Sequence, residues 1–196
     1  MNEFTFTTLG SCGIIMHMYI FTTFIGQLVA PYGITESDFV SKMGLFIFGF
    51  GIVGGILFST VLTIYPSKMM KANYVLNVAS ILCLGFFVFA DINSDKTMLI
   101  LASTALGFFL IPILFVAYEL AVEQTAHLGV SENMSCGLIN IYANFVGFLI
   151  AIALTPAINR ETHASTNVTF IVLLVNLLLS LGFLTAGSML KNKRTL

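Results

Sequence analysis

The sequence predicts an all-α membrane protein, six transmembrane helices forming a single domain over residues 1–196. Three observations predict it. Hydrophobic residues make up 58% of the chain, against about 45–50% in an average soluble domain. Charged residues make up only 9%, against about 25%, too few to cover a solvated surface. The mean hydropathy is +0.99, and it is concentrated in six stretches near the length of about 20 residues that a helix needs to span hydrocarbon. The same figures exclude a disordered chain and a soluble enzyme. With 8 Lys and Arg, 9 Asp and Glu and a net charge of −1, they also exclude a nucleic-acid binder, which needs basic patches. The expected partner is the lipid bilayer, not nucleic acid.

Each span is delimited by charged or turn-forming punctuation. The first is predicted over residues 6–31, stopping at Pro31-Tyr32-Gly33, and a polar loop with Glu36, Asp38 and Lys42 follows. The second covers 43–65 and ends at the stretch Pro66 to Lys71. It carries Gly44, Gly49, Gly51, Gly54 and Gly55, and small residues let helix backbones approach closely in lipid, so tight packing on a neighbour is expected. The third covers 74–90, before the loop Asp91-Ile92-Asn93-Ser94-Asp95-Lys96. The fourth covers 98–122 with Pro112 inside it, the fifth 134–158 and the sixth 168–190. Six spans put both termini on one side. That side carries Lys68, Lys71, Lys191, Lys193 and Arg194, the other Lys42, Lys96 and Arg160, so the positive-inside rule places the termini in the cytoplasm. The N-terminus has no basic region and no clear cleavage site for a secretory signal. Cys12, Cys83 and Cys136 lie in apolar runs without metal or disulfide spacing and read as inert thiols. Asn167-Val168-Thr169 is a glycosylation sequon on the predicted outer side, hard against the membrane.

Polar residues within spans carry the functional signal, because an ionisable group at the bilayer centre costs about 2.5–3.5 kcal/mol on insertion scales. His17 lies mid-span; it reads either as a neutral histidine bonded to neighbouring helices or as a substrate or proton contact. Glu119 and Glu123 are four apart on one helix face. Glu123 is near enough to the predicted cytoplasmic end to be solvated, and Glu119, one turn deeper, reads either as a gating or helix-end contact or as a residue with a transport role. Tyr19, Thr23 and Gln27 repeat at spacing four in the first span, and Asn140 and Asn144 share a face of the fifth, with Tyr142 pointing elsewhere. Two such stripes facing one cleft could hold a small cation, since a tyrosine ring attracts a quaternary ammonium; interhelical hydrogen bonding is the structural alternative. His17, His127 and His163 fall in separate segments with no HExxH pattern. Neither enzyme chemistry, nor a cofactor, nor a metal is expected.

The stretches Gly107-Phe108-Phe109, Tyr118-Glu119-Leu120-Ala121-Val122-Glu123-Gln124-Thr125 and Ser135-Cys136-Gly137-Leu138-Ile139-Asn140 resemble one group of transporters. This is the feline leukaemia virus subgroup C receptor-related family of the major facilitator superfamily, whose tenth helix reads GFF…FEFAxExT and whose eleventh begins with a variant of SSGLLN. The first span, from Tyr19 to Gln27-Leu28-Val29-Ala30-Pro31-Tyr32, is similar to that family's seventh helix, and Gly51-Ile52-Val53-Gly54-Gly55 to its eighth. The resemblance covers most of the chain in order. It implies the carboxy-terminal six helices of a twelve-helix transporter, in a family associated with choline and ethanolamine uptake and, for some members, haem export. By this resemblance Tyr19 falls on a substrate-facing tyrosine and Asn144 on a substrate-binding glutamine; the stripes themselves add Asn140 as a second solute contact and Gln27 at the outer entrance. The chain departs from the pattern at Thr63, near the position of a superfamily aspartate, and by a two-residue insertion near His127 to Val130. Family sites lie between two lobes near the midplane, with tryptophans from the other lobe, and this chain has no Trp. The implied function is alternating-access transport of a small organic solute with a second six-helix lobe, supplied by another chain or a second copy. The alternative is a transport-inactive structural subunit or truncated remnant within a membrane complex.

Overall fold

A computed structural model of the chain describes residues 3–126, 129–158 and 163–194. His127 and Arg160 of the sequence reading therefore lie outside the described residues. Six helices follow in order: α1 (Glu3–Val29), α2 (Ser37–Ile64), α3 (Met69–Ile92), α4 (Lys96–Thr125), α5 (Glu132–Ile158) and α6 (His163–Arg194). All six are long and apolar enough to cross a membrane. The chain is an integral, multi-pass, all-α membrane protein.

The helix ends follow from local chemistry. Pro31 has no backbone donor, and α1 tightens there into the 3-10 turn Ala30–Tyr32. Gly33, at φ 85°, closes that turn by donating to the Ala30 carbonyl, a left-handed conformation that glycine adopts without a Cβ penalty. Tyr65 ends α2 before Pro66. Asp95 caps α4, its carboxylate accepting from the Thr97 and Met98 N–H groups at 2.9 and 3.1 Å. Pro112 sits inside α4 without ending it, as is tolerated where neighbouring helices cover the freed backbone.

Several boundaries differ from the sequence reading: α3 begins at Met69 rather than near 74 and α6 at His163 rather than near 168. Asp38 and Lys42 lie in the first turns of α2 rather than a loop, where Asp38 complements the positive end of the helix dipole. Asp91 and Ile92 are the last residues of α3. The cluster Asp-Ile-Asn-Ser-Asp has loop chemistry, but the turn itself needs only Asn93, Ser94 (φ 53°) and Asp95.

Helices α1 and α4 form the centre. The buried share is 67% for the spanning window of α1 and 56% for that of α4, against 28% for α2 and 22% for α5. Glycine sets the α2–α4 contact. A Cβ on Gly54 would strike the Phe108 carbonyl, and one on Gly107 the Ile47 backbone, so each helix lays bare backbone against the other. Gly51 and Gly55 admit Ile111 and Phe115, whereas Gly44 and Gly49 face open space. Gly10 and Gly13 seat α1 on Leu184 and Ser180 of α6 in the same way. Between them an aromatic core joins three helices: Phe21 meets Phe87 edge-on at 5.1 Å, and Phe87 meets Phe170 at 6.1 Å.

Candidate functional site

The two polar stripes read from the sequence meet where α1, α4 and α5 converge. The Tyr19 hydroxyl donates to Asn140 Oδ1 at 3.3 Å. Asn144 Nδ2 donates to the same oxygen at 3.1 Å and to the Asn140 carbonyl at 2.8 Å. Asn140 Oδ1 thus has both lone pairs engaged. Among the described residues, no hydrogen bond engages Asn140 Nδ2 or Asn144 Oδ1, leaving one donor group and one acceptor beside the tyrosine ring. Tyr19 and Asn140 are half-buried and Asn144 is exposed, so the cluster lies at the surface of the bundle rather than in its core.

Small side chains make this convergence possible. Cys12 and Ile15 of α1, Ala117 and Ala121 of α4, and Ile139 and Ala143 of α5 form a separate buried cluster, and Tyr19 and Tyr118 pack against it. The Cys12 thiol reaches the Ile139 carbonyl at 3.7 Å. One end is fastened by the hydroxyls of Thr125 and Ser135, 2.5 Å apart. The aromatic ring and the carboxamides therefore stand on a packed floor, which limits their freedom before any solute arrives.

The remaining predicted residues are placed less closely. Thr23 turns its hydroxyl back to the Tyr19 carbonyl at 2.7 Å. Gln27 is exposed on the same stripe, about 12 Å farther along α1 by helical rise, and does not join the cluster. Glu119 is exposed and, with Ser59, Thr63, Met69 and Tyr118, lines a cleft of about 450 Å³ between α2 and α4. Glu119 and Glu123 together border an adjoining cleft of about 360 Å³ with Ser67. Thr63, at the position of the expected aspartate, donates its hydroxyl to the Ser59 carbonyl at 2.9 Å.

His17 is fully buried, stacked on Phe21 at 6.2 Å and facing the Leu173 backbone of α6. That position is in the aromatic core and away from Tyr19. Among the described residues, neither ring nitrogen meets a partner within hydrogen-bond geometry. Tyr118, quoted from the sequence only as part of the tenth-helix stretch and not as a site residue, adjoins Glu119 and shares the floor with Tyr19. Asn73, Asn77 and Ser80 were also missed. They are fully buried on one face of α3, their polar atoms without partners among the described residues, and their spacing of four and three within an apolar span was the available signal. Cys12 is buried, with Cys83 and Cys136 half-buried. Among the described residues no group of three or more His, Cys, Asp or Glu could hold a metal ion.

No protein-family model matches the chain. It is similar to the choline/ethanolamine transporter FLVCR1 of Mus terricolor, 29% identical over 135 residues that make up 69% of this chain and 24% of that protein. The Mus musculus protein of the same name is 28% identical over the same shares, and that of Felis catus 29%. The match thus spans about a quarter of the length of these curated relatives. It bears out the resemblance read from the tenth- and eleventh-helix motifs. All three relatives are named as transporters, which fits a protein that is not an enzyme.

Proposed function

We propose that this chain forms one wall of a transport site for a small cationic solute of the choline or ethanolamine class. The observation that carries the reading is the hydrogen-bonded set Tyr19–Asn140–Asn144 on an open face. An ammonium group lies over the Tyr19 ring, an attraction worth about 0.5–1 kcal/mol when exposed and about 2 when desolvated. The Asn140 bond fixes the ring's orientation. Asn140 Nδ2 and Asn144 Oδ1 are then at hand for a solute hydroxyl or amine. Nothing in this set carries positive charge, and Glu119 lines a neighbouring cleft, so a cation suits the face better than the anionic propionates of haem.

With one wall only, the solute has to be enclosed by a second six-helix lobe, from another chain or a second copy. The two lobes rock about the site to expose it to each side in turn. The termini face the cytoplasm in this reading, with Gln27 towards the outer entrance and Glu119 and Glu123 steadying the inner end of α4.

Labelled choline and ethanolamine flux into liposomes tests the proposal. Tyr19→Ala is expected to lower flux at sub-saturating solute about tenfold, the equivalent of about 1.4 kcal/mol. A Tyr19→Ala protein that transports as well as the parent removes the site assignment. One observation favours a second reading, a structural subunit without transport. Thr63 stands where an aspartate was expected, and its hydroxyl is spent on its own helix. Stable co-purification with another membrane chain, without flux of either solute, would establish that reading instead.

A further inference from the structure

The outer end of the bundle contains a carboxylate that the transport site does not use. Asp91, in the last turn of α3, is 0% exposed, and neither of its carboxylate oxygens has a hydrogen-bond partner among the described residues. A lone ionised carboxylate removed from water is too costly to persist without compensation.

Among the described residues, no side chain donates a hydrogen bond to either oxygen. Asp91 lies at the carbonyl end of α3, the negative end of that helix's dipole. The 3-10 turn closing α1 is drawn against the same end, because Ser94 donates its hydroxyl to the Tyr32 carbonyl at 3.0 Å. Tyr32 lies within electrostatic reach of Asp91, but its hydroxyl donates to Asn167 Oδ1 of α6 at 3.3 Å. Phe87 and Phe170 are in contact, which brings Thr166 of α6, one turn from Phe170, level with Asp91, one turn from Phe87. Of the charged groups described at this end, Asp38 and Lys42 lie in the first turns of α2. Lys96 pairs with Glu36 of the α1–α2 loop at 2.7 Å, and Asp95 caps α4.

We propose that Asp91 binds one positive charge, an alkali-metal cation or a proton, at the junction of α1, α3 and α6. One carboxylate among neutral oxygens balances a monovalent charge; a divalent ion of the calcium type draws on several carboxylates. Helix carbonyl ends serve as cation ligands in membrane transporters for the same reason. The site stands whether or not the lobe transports.

The test follows thermal unfolding of the purified chain in detergent while sodium or potassium replaces a bulky organic cation at constant ionic strength, and separately while pH is raised from about 5 to about 8. An alkali ion at Asp91 raises the parent's midpoint with its concentration. A proton gives no alkali response. Instead the midpoint falls as pH rises, because the folded state holds a proton that the unfolded chain has released. In either case Asp91→Asn flattens the response. If Asp91→Asn follows the parent in both titrations, the proposal is overturned. Should that variant not fold, the parent is treated with a hydrophobic carbodiimide and the Asp91 peptide weighed. Labelling suppressed by alkali ion or by raised pH supports the site, and labelling indifferent to both removes it.

Discussion

At the scale of residues, the Tyr19 ring and its hydroxyl have separable roles. Tyr19→Phe keeps the aromatic face but releases the bond to Asn140 Oδ1, a contribution of about 1 kcal/mol. Its KM for choline is therefore expected to rise a few-fold, well short of the effect of Tyr19→Ala. Asn140→Leu removes the acceptor shared by Tyr19 and Asn144, so it is expected to impair uptake more than Asn144→Leu; kinetics of the two variants side by side check the order. The alignment of Asn140 with Asn144 was legible in the sequence, because a spacing of four fixes it. Their meeting with Tyr19, 121 positions away in the chain, was not, because periodicity within one helix says nothing about its rotation against another. Asp91 was misread for a different reason. Loop-forming neighbours concealed a side chain that the helix carries inward.

At the scale of elements, the glycines of α2 divide by what they face. Gly54→Ala presses a methyl group into the Phe108 carbonyl, which cannot rotate away, and is expected to destabilise the fold by about 1–3 kcal/mol. Gly49→Ala meets open space and should be neutral or gain up to about 1 kcal/mol from reduced backbone freedom in the unfolded chain. Melting in one detergent ranks the pair. Gly13→Ala falls between them, since its obstacle is the Ser180 hydroxyl, an atom able to turn. The sequence announced a tight contact for this helix but not its partner, because a run of glycines describes a groove and not what fills it. Gly107 of α4 supplies the matching half of the contact, and as a lone glycine in an apolar span it gave no such signal.

At the scale of the whole molecule, an open polar face and lipid-facing flanks should differ in their access to water. With Cys12, Cys83 and Cys136 replaced by alanine, Asn144→Cys is expected to react with a water-soluble maleimide, and choline to slow that reaction. Ile171→Cys, 59% exposed on α6, should react only with a membrane-permeant reagent. Equal reactivity at the two positions would place Asn144 in lipid and end the transport reading. The number of spans and the class of fold were legible because the bilayer imposes length and apolarity on every crossing. Which helices lie innermost was not, because the two central helices stand at opposite extremes, α1 the least apolar of the six spans and α4 the most. The backbone-to-backbone seam at Gly54 and Gly107 also constrains movement. Side chains can slip past one another by changing rotamer, but two main chains in direct contact have no such freedom. Spin labels on α2 and α4 should therefore report one narrow, unchanging separation in every state the protein visits, so that the pair travels as a single plank and any bending falls elsewhere in the lobe.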